Sequence, residues 1–230
     1  MSAVMLVFAA SGYAQETGAA GAGERNEWLP TFEAVAVDAD LDVKFVRVPD
    51  TEAPKIVYDT KGSYTTKFRA EVKDKTLRIS EKPDSRRPDR TEVTVYYNAL
   101  RAVSLSGAAA TFVGTLDAAV LDVTVNRKAS LTAKLDVKDL KMEQTGYSTA
   151  NLSGSVRYLT LYVSTGKVAA SDLEVMSAEV NAQSKAEVSL WITDRFVGKT
   201  TTNARISYKG DPKIVRGGAK FMGGEINRVE

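Results

Sequence analysis

The chain has 230 residues, with 31 Lys+Arg against 29 Asp+Glu, 43% hydrophobic and 26% charged residues, and neither Cys nor His. These fractions are those of a globular protein. The two zeros exclude disulfides, thiolate nucleophiles, Fe–S clusters, cysteine-type zinc sites and the Ser-His-Asp triad, and a net charge of +2 gives no ground for a nucleic-acid partner.

From Ser2 to Tyr13 the residues are apolar or small, and no charge occurs before Glu16. Gly12 and Ala14 resemble the small-residue site of signal peptidase, so residues 1–14 read as a signal peptide cleaved after Ala14. The run is shorter than the roughly 20 residues of a membrane-spanning helix. It lacks the usual opening basic residue, the first being Arg25, so either the translation start lies upstream or the signal is atypical. No Cys follows it to carry a lipid. Residues 15–30, rich in Gly and Ala with scattered charge, read as a flexible linker.

Beyond Phe32 the pattern changes to period two, the alternation of a strand with one buried face. Val35, Val37, Ala39, Leu41, Val43 and Phe45 form the apolar series, with Asp38, Asp40, Asp42 and Lys44 between them. The phase slips at Phe45-Val46, which predicts a bulge or a turn. Strand-like runs come next at Lys55–Tyr58, Tyr64–Val72, Thr76–Ser80 and Thr91–Tyr97, and the Pro-containing, mixed-charge stretch Glu81–Arg90 reads as a solvated loop. Residues 31–98 are therefore expected to form a β-rich region that caps the remainder of the chain.

After Tyr97 the sequence repeats itself at a period near 20 residues. Gly107, Arg127, Gly146, Gly166, Ser184 and Thr202 mark one phase point. Two, four and six residues after each stand mostly small or apolar residues, for example Ala129, Leu131 and Ala133, or Ala186, Val188 and Leu190. Such a column predicts a solenoid, and its short Val- and Thr-rich units predict strands rather than helices. The expected fold is all-β: a right-handed parallel β-helix of about six rungs of 18–20 residues over 99–212, followed by a C-terminal tail or cap at 213–230. Residues 31–212 would form one structural unit.

The opening Phe32-Glu33-Ala34-Val35-Ala36-Val37, the later Leu41-Asp42-Val43, and Leu100 to Ala108 resemble the head GIN domain family of auto-transporter adhesins from Bacteroidetes-type bacteria. The turns Thr145-Gly146-Tyr147-Ser148 and Thr165-Gly166-Lys167-Val168 and the close Tyr208-Lys209-Gly210-Asp211-Pro212 match as well. The chain departs from the pattern where Arg127, Ser184 and Thr202 replace a turn glycine. The resemblance implies a β-helix-like fold, an adhesin role and no catalytic constellation.

Three groups of residues are candidates for a site. Asp117, Asp136, Glu174, Asp194 and Asp211 recur once per repeat, and stacked carboxylates suit Ca²⁺; against this, Asp is itself a turn residue, and Lys134, Lys138, Arg195, Lys199 and Lys213 lie close in sequence. Asp38, Asp40 and Asp42 lack the Gly and Glu of a calcium loop and read as the wet side of a strand. Tyr147, Tyr162 and Trp191, with Tyr158 beside them, could present rings to a glycan or pad the solenoid. Ser184-Lys185 cannot act as a nucleophile pair, since adjacent strand residues face opposite ways. The expected function is that of an exported, non-catalytic module of the periplasm, outer-membrane surface or extracellular space that binds glycan or protein. The alternatives are a polysaccharide-active β-helix enzyme and a structural protein that assembles through its ends.

Overall fold

The computed structural model describes residues 24–61, 67–83 and 89–229. The expected signal peptide and residues 15–23 of the linker lie outside them. Fourteen strands are present among the described residues, and no helix. They are β1 (Glu24–Trp28), β2 (Ala34–Asp38), β3 (Leu41–Arg47), β4 (Lys55–Asp59), β5 (Phe68–Lys73), β6 (Thr76–Glu81), β7 (Thr91–Tyr97), β8 (Ala102–Ser106), β9 (Ala109–Asn126), β10 (Ser130–Gln183), β11 (Glu187–Thr201), β12 (Arg205–Lys209), β13 (Ile214–Phe221) and β14 (Glu225–Arg228). All belong to one sheet, which is mixed rather than wholly parallel and does not close into a barrel.

The parallel part follows from the repeat. Ala110 pairs with Leu131, Leu121 with Leu140, Val168 with Val188, Val188 with Ile206 and Ile206 with Ile226. Each partner thus lies 18 to 21 residues further along the chain, as the period requires. The paired residues are apolar and mostly buried, so these segments place their side chains on those of the segment about one period before. Backbone pairing and apolar burial are satisfied by the same register.

The phase points are turns in left-handed backbone, with φ of 83° at Gly107, 51° at Arg127, 68° at Gly146, 145° at Gly166, 57° at Ser184 and 53° at Thr202. At Arg127-Lys128, Ser184-Lys185 and Thr202-Asn203 both central residues have positive φ, and the amides of Ala129, Ala186 and Ala204 donate to the carbonyls of Asn126, Gln183 and Thr201. Those are type I′ turns. Successive turns are also bonded to one another: the Lys128 amide donates to Gly146, Lys185 to Thr202 and Asn203 to Met222. Beneath them Gln144, fully buried, donates through Nε2 to the carbonyls of Ser148 (2.7 Å) and Lys167 (3.0 Å), tying successive turns of chain together.

Several boundaries differ from the sequence reading. The inward series of the first repeat is Ala108, Ala110 and Phe112 rather than Ala109, Thr111 and Val113, because the chain leaves Gly107 one residue out of phase with later turns. Residues 24–28 of the expected linker form β1, which pairs antiparallel with β4. Both faces of β1 are exposed, so no periodicity marked it. Where a C-terminal tail or cap is expected at 213–230, the described residues form β13, which pairs in parallel with β11, and β14, which pairs with β12.

The region before β8 adds strands in an order that sequence alone does not give. β2 lies between β6 and β8, and β3 lies between β7 and β9. The first strands of the region are thus interior, and antiparallel β5, β4 and β1 finish the end. Arg90, from the stretch read as a solvated loop, binds these layers by pairing with Asp40, with Asp42 at 2.7 Å and with the Gly107 carbonyl at 3.4 Å. Asp38 accepts from Arg127 (2.8 Å) and Ser106 (3.0 Å). The acidic triplet is therefore the anchor of a cross-strand ion network.

Candidate binding surface

Strand alternation decides which side chains can meet a partner. In β10, Val156, Leu159, Leu161 and Val163 are buried, while Tyr158 is 43% exposed, Thr160 is exposed and Tyr162 is half-buried. Tyr158, Thr160 and Tyr162 therefore stand on the outer face of one strand. The Tyr162 hydroxyl accepts from Gln183 Nε2, which holds the ring in place. On the preceding turn, where Ser155 Oγ donates to Asp136 at 3.1 Å across a 19-residue offset, the same offset brings Asp139, Lys141 and Glu143 beside them.

The other predicted rings lie elsewhere. Tyr147, 75% exposed, sits in a left-handed turn with φ of 58°. Trp191 closes the strand segment that leaves the next turn but one; it pairs with Glu174 and Lys209, and the Lys209 ammonium lies 5.1 Å from its ring centre. The three aromatics are on the surface without forming one cluster. A further ring escaped the sequence reading: Trp28, 64% exposed, shares the Lys55 ammonium with Tyr96, at 5.5 and 4.7 Å. The linker assignment of its segment concealed it.

Four of the five acids are bound singly. Asp117 pairs with Arg47 (3.3 Å), Asp194 with Lys213 (3.5 Å) and Asp211 with Arg228 (3.1 Å), while Asp136 accepts from Ser155. Asp117 and Asp136 are register partners, whereas Glu174 is opposite Trp191 and so is out of line with Asp194. No three carboxylates among the described residues approach closely enough to share an ion. Of the expected neutralising cations only Lys213 takes that role; Arg47 and Arg228 come from distant segments and were not foreseeable from sequence proximity.

The shifted ionisations belong to packing rather than chemistry. Burial pushes the phenols of Tyr97 and Tyr58 up to about 12, the second helped by its 2.6 Å hydrogen bond to Glu27. The Lys75 ammonium, 2.9 Å from Glu33, holds that carboxyl below its ordinary value. Inside, Phe112, Leu116, Leu121, Leu140, Met142 and Leu152 help line an apolar cavity of about 10 Å³, room for about one water molecule. No helix among the described residues is long and apolar enough to cross a membrane.

Residues 31–212 match the family described as "Putative auto-transporter adhesin, head GIN domain". The chain belongs to this family. Its fold is that of a "putative adhesin" from Bacteroides fragilis, with a TM-score of 0.81 at 18% identity over 90% of this chain and 96% of that one. A "putative adhesin" from Parabacteroides merdae is similar with a TM-score of 0.69, 18% identity and coverage of 90% and 95%. A "putative lipid binding protein" from Parabacteroides distasonis is similar at 0.63, with 16% identity and coverage of 91% and 98%. At these identities the likeness concerns the fold of the head GIN domain alone. No curated protein matches the chain.

Proposed function

We propose that this head GIN domain protein is an exported, non-catalytic binding module of the cell envelope. Its parallel stack is read as a right-handed β-helix of about six rungs, and its ligand as an extended saccharide. The observation that carries this reading is the outward row Tyr158, Thr160 and Tyr162, with the Tyr162 ring fixed by Gln183. At about 3.3 Å per residue the two rings stand about 13 Å apart along a rigid strand. Rings present apolar faces to the C–H side of sugars, and the neighbouring Thr160, Asp139, Lys141 and Glu143 offer donors and acceptors to hydroxyls. Family membership supports a surface role, and the apolar run at residues 1–14 supports export.

The test is a screen of the purified chain against immobilised glycans and host-matrix proteins, followed by Tyr158→Ala and Tyr162→Ala on any glycan bound. Each variant is expected to weaken binding by about tenfold or more, the scale of an aromatic anchor. Trp191→Ala, on another segment, is expected to leave it unchanged. Binding confined to proteins, or glycan binding indifferent to both tyrosines, would overturn the assignment.

A further inference from the structure

The two ends of the stack are finished differently. At the β1 end the outermost strand carries Glu24, Arg25 and Glu27, and Glu27 Oε1 takes the Tyr58 hydroxyl. Its first four residues are all polar and exposed, so it offers a further strand no apolar row to cover. At the opposite end the outermost strands are β13 and β14, each paired on one side only, β13 to β11 and β14 to β12. Val215 stacks on buried Phe196 and so lies on the inward side of its strand, yet it is 48% exposed, and no other described strand pairs with β13 to cover it. Ile214, Met222 and Val229, at 45%, 64% and 47%, are exposed in the same final turn.

Charge is concentrated there too. Between Asp194 and Arg228 the sequence holds eight Lys or Arg and three acids, although the whole chain is only +2. Three of those cations are engaged by ion pairs, Arg205 with Glu225, Lys213 with Asp194 and Arg228 with Asp211. Arg195, Lys199 and Arg216 are exposed along β11 and β13.

We propose that this end is a docking edge for an extended acidic segment of a partner protein, which adds as a strand to β13 or β14. Edge strands present backbone donors and acceptors that another strand satisfies, and alternate side chains of the added strand set specificity. Here one set meets Val215 and the apolar interior, and the other meets the cationic rim. An added strand that alternates Val with Glu satisfies both, whereas one that alternates Val with Lys satisfies the backbone and the interior alone. The pairing is therefore charge-selective and weakens with salt.

The test uses the full chain and two fluorescent peptides of about eight residues, one alternating Val and Glu and the other Val and Lys. Fluorescence anisotropy is expected to show saturable binding of the Glu peptide alone, weakened about tenfold or more by Arg216→Glu and by Val215→Lys. Arg25→Glu, at the far end, serves as a control expected to leave it unchanged, and circular dichroism confirms that the variants fold. Equal binding of both peptides, no binding of either, or indifference to Arg216→Glu would overturn the proposal. Sedimentation velocity and co-sedimentation with phosphatidylserine vesicles complete the test. Self-association abolished by Val215→Lys would assign the edge to a second copy instead, and vesicle binding without peptide binding would assign it to an anionic membrane surface.

Discussion

At the scale of the residue, the turns show a conflict between sequence and backbone. A type I′ turn needs two left-handed residues, which Asn-Gly supplies with least strain. Here Arg127-Lys128, Ser184-Lys185 and Thr202-Asn203 occupy those positions, and Thr202 is β-branched at φ of 53°. Left-handed backbone costs a residue with Cβ roughly 1–2 kcal/mol, part of which glycine returns through its greater freedom when unfolded. Thr202→Gly is therefore expected to stabilise the protein by about 0.5–1 kcal/mol, seen as a rise of about 1–4 °C in Tm. A fall in Tm would mean that the threonine contributes something its exposed position does not reveal. These turns persist without glycine because each is held from above and below, as the bond from the Asn203 amide to Met222 shows.

At the scale of the element, what was legible depended on whether an element has a period. The six phase points could be found because each ends one buried run and starts the next. The inward columns of Leu131, Val188 and Ile206 followed from the same alternation. β1 was missed because all five of its residues are exposed, leaving no contrast to read. The interior place of β2 and β3 was missed because alternation says which way a residue faces, not which strand lies beside it. The candidate rings needed the register as well: Tyr147, Tyr162 and Trp191 lie on separate segments, which alternation alone does not reveal. β7 offers a test of its own packing. Tyr97 is 1% exposed against Phe45 and Phe112, with ring centres 6.5 and 6.0 Å away. Its phenol titrates near 12 in the folded protein against an ordinary value near 10, so the folded state retains a proton that the unfolded chain gives up. Stability from this term is complete below pH about 10 and is lost as pH rises through about 12. Chemical denaturation of Tyr97→Phe across that window is expected to show a shallower alkaline decline than the parent; an identical decline would locate the alkaline sensitivity elsewhere.

At the scale of the whole molecule, a fold without cysteine rests on repeated pairing of like with like. Cation partners already neutralise three of the five acids of the column, Asp117, Asp194 and Asp211. Millimolar calcium and chelator are accordingly expected to give the same Tm, and a calcium-dependent rise of several degrees would show that these pairs yield to a metal. The arrangement of the first strands bears on how the molecule comes into being. β2 and β3 emerge early from the ribosome, but one of their partners is β6 and β7 and the other is β8 and β9. Leu41, Val43 and Phe45 must stay unsheltered on one side until Ala109 to Val113 has been made. Synthesis and assembly therefore cannot proceed in step from the amino terminus. The nascent chain carries an open seam for more than sixty residues, one that closes only when later chain arrives to lie across it.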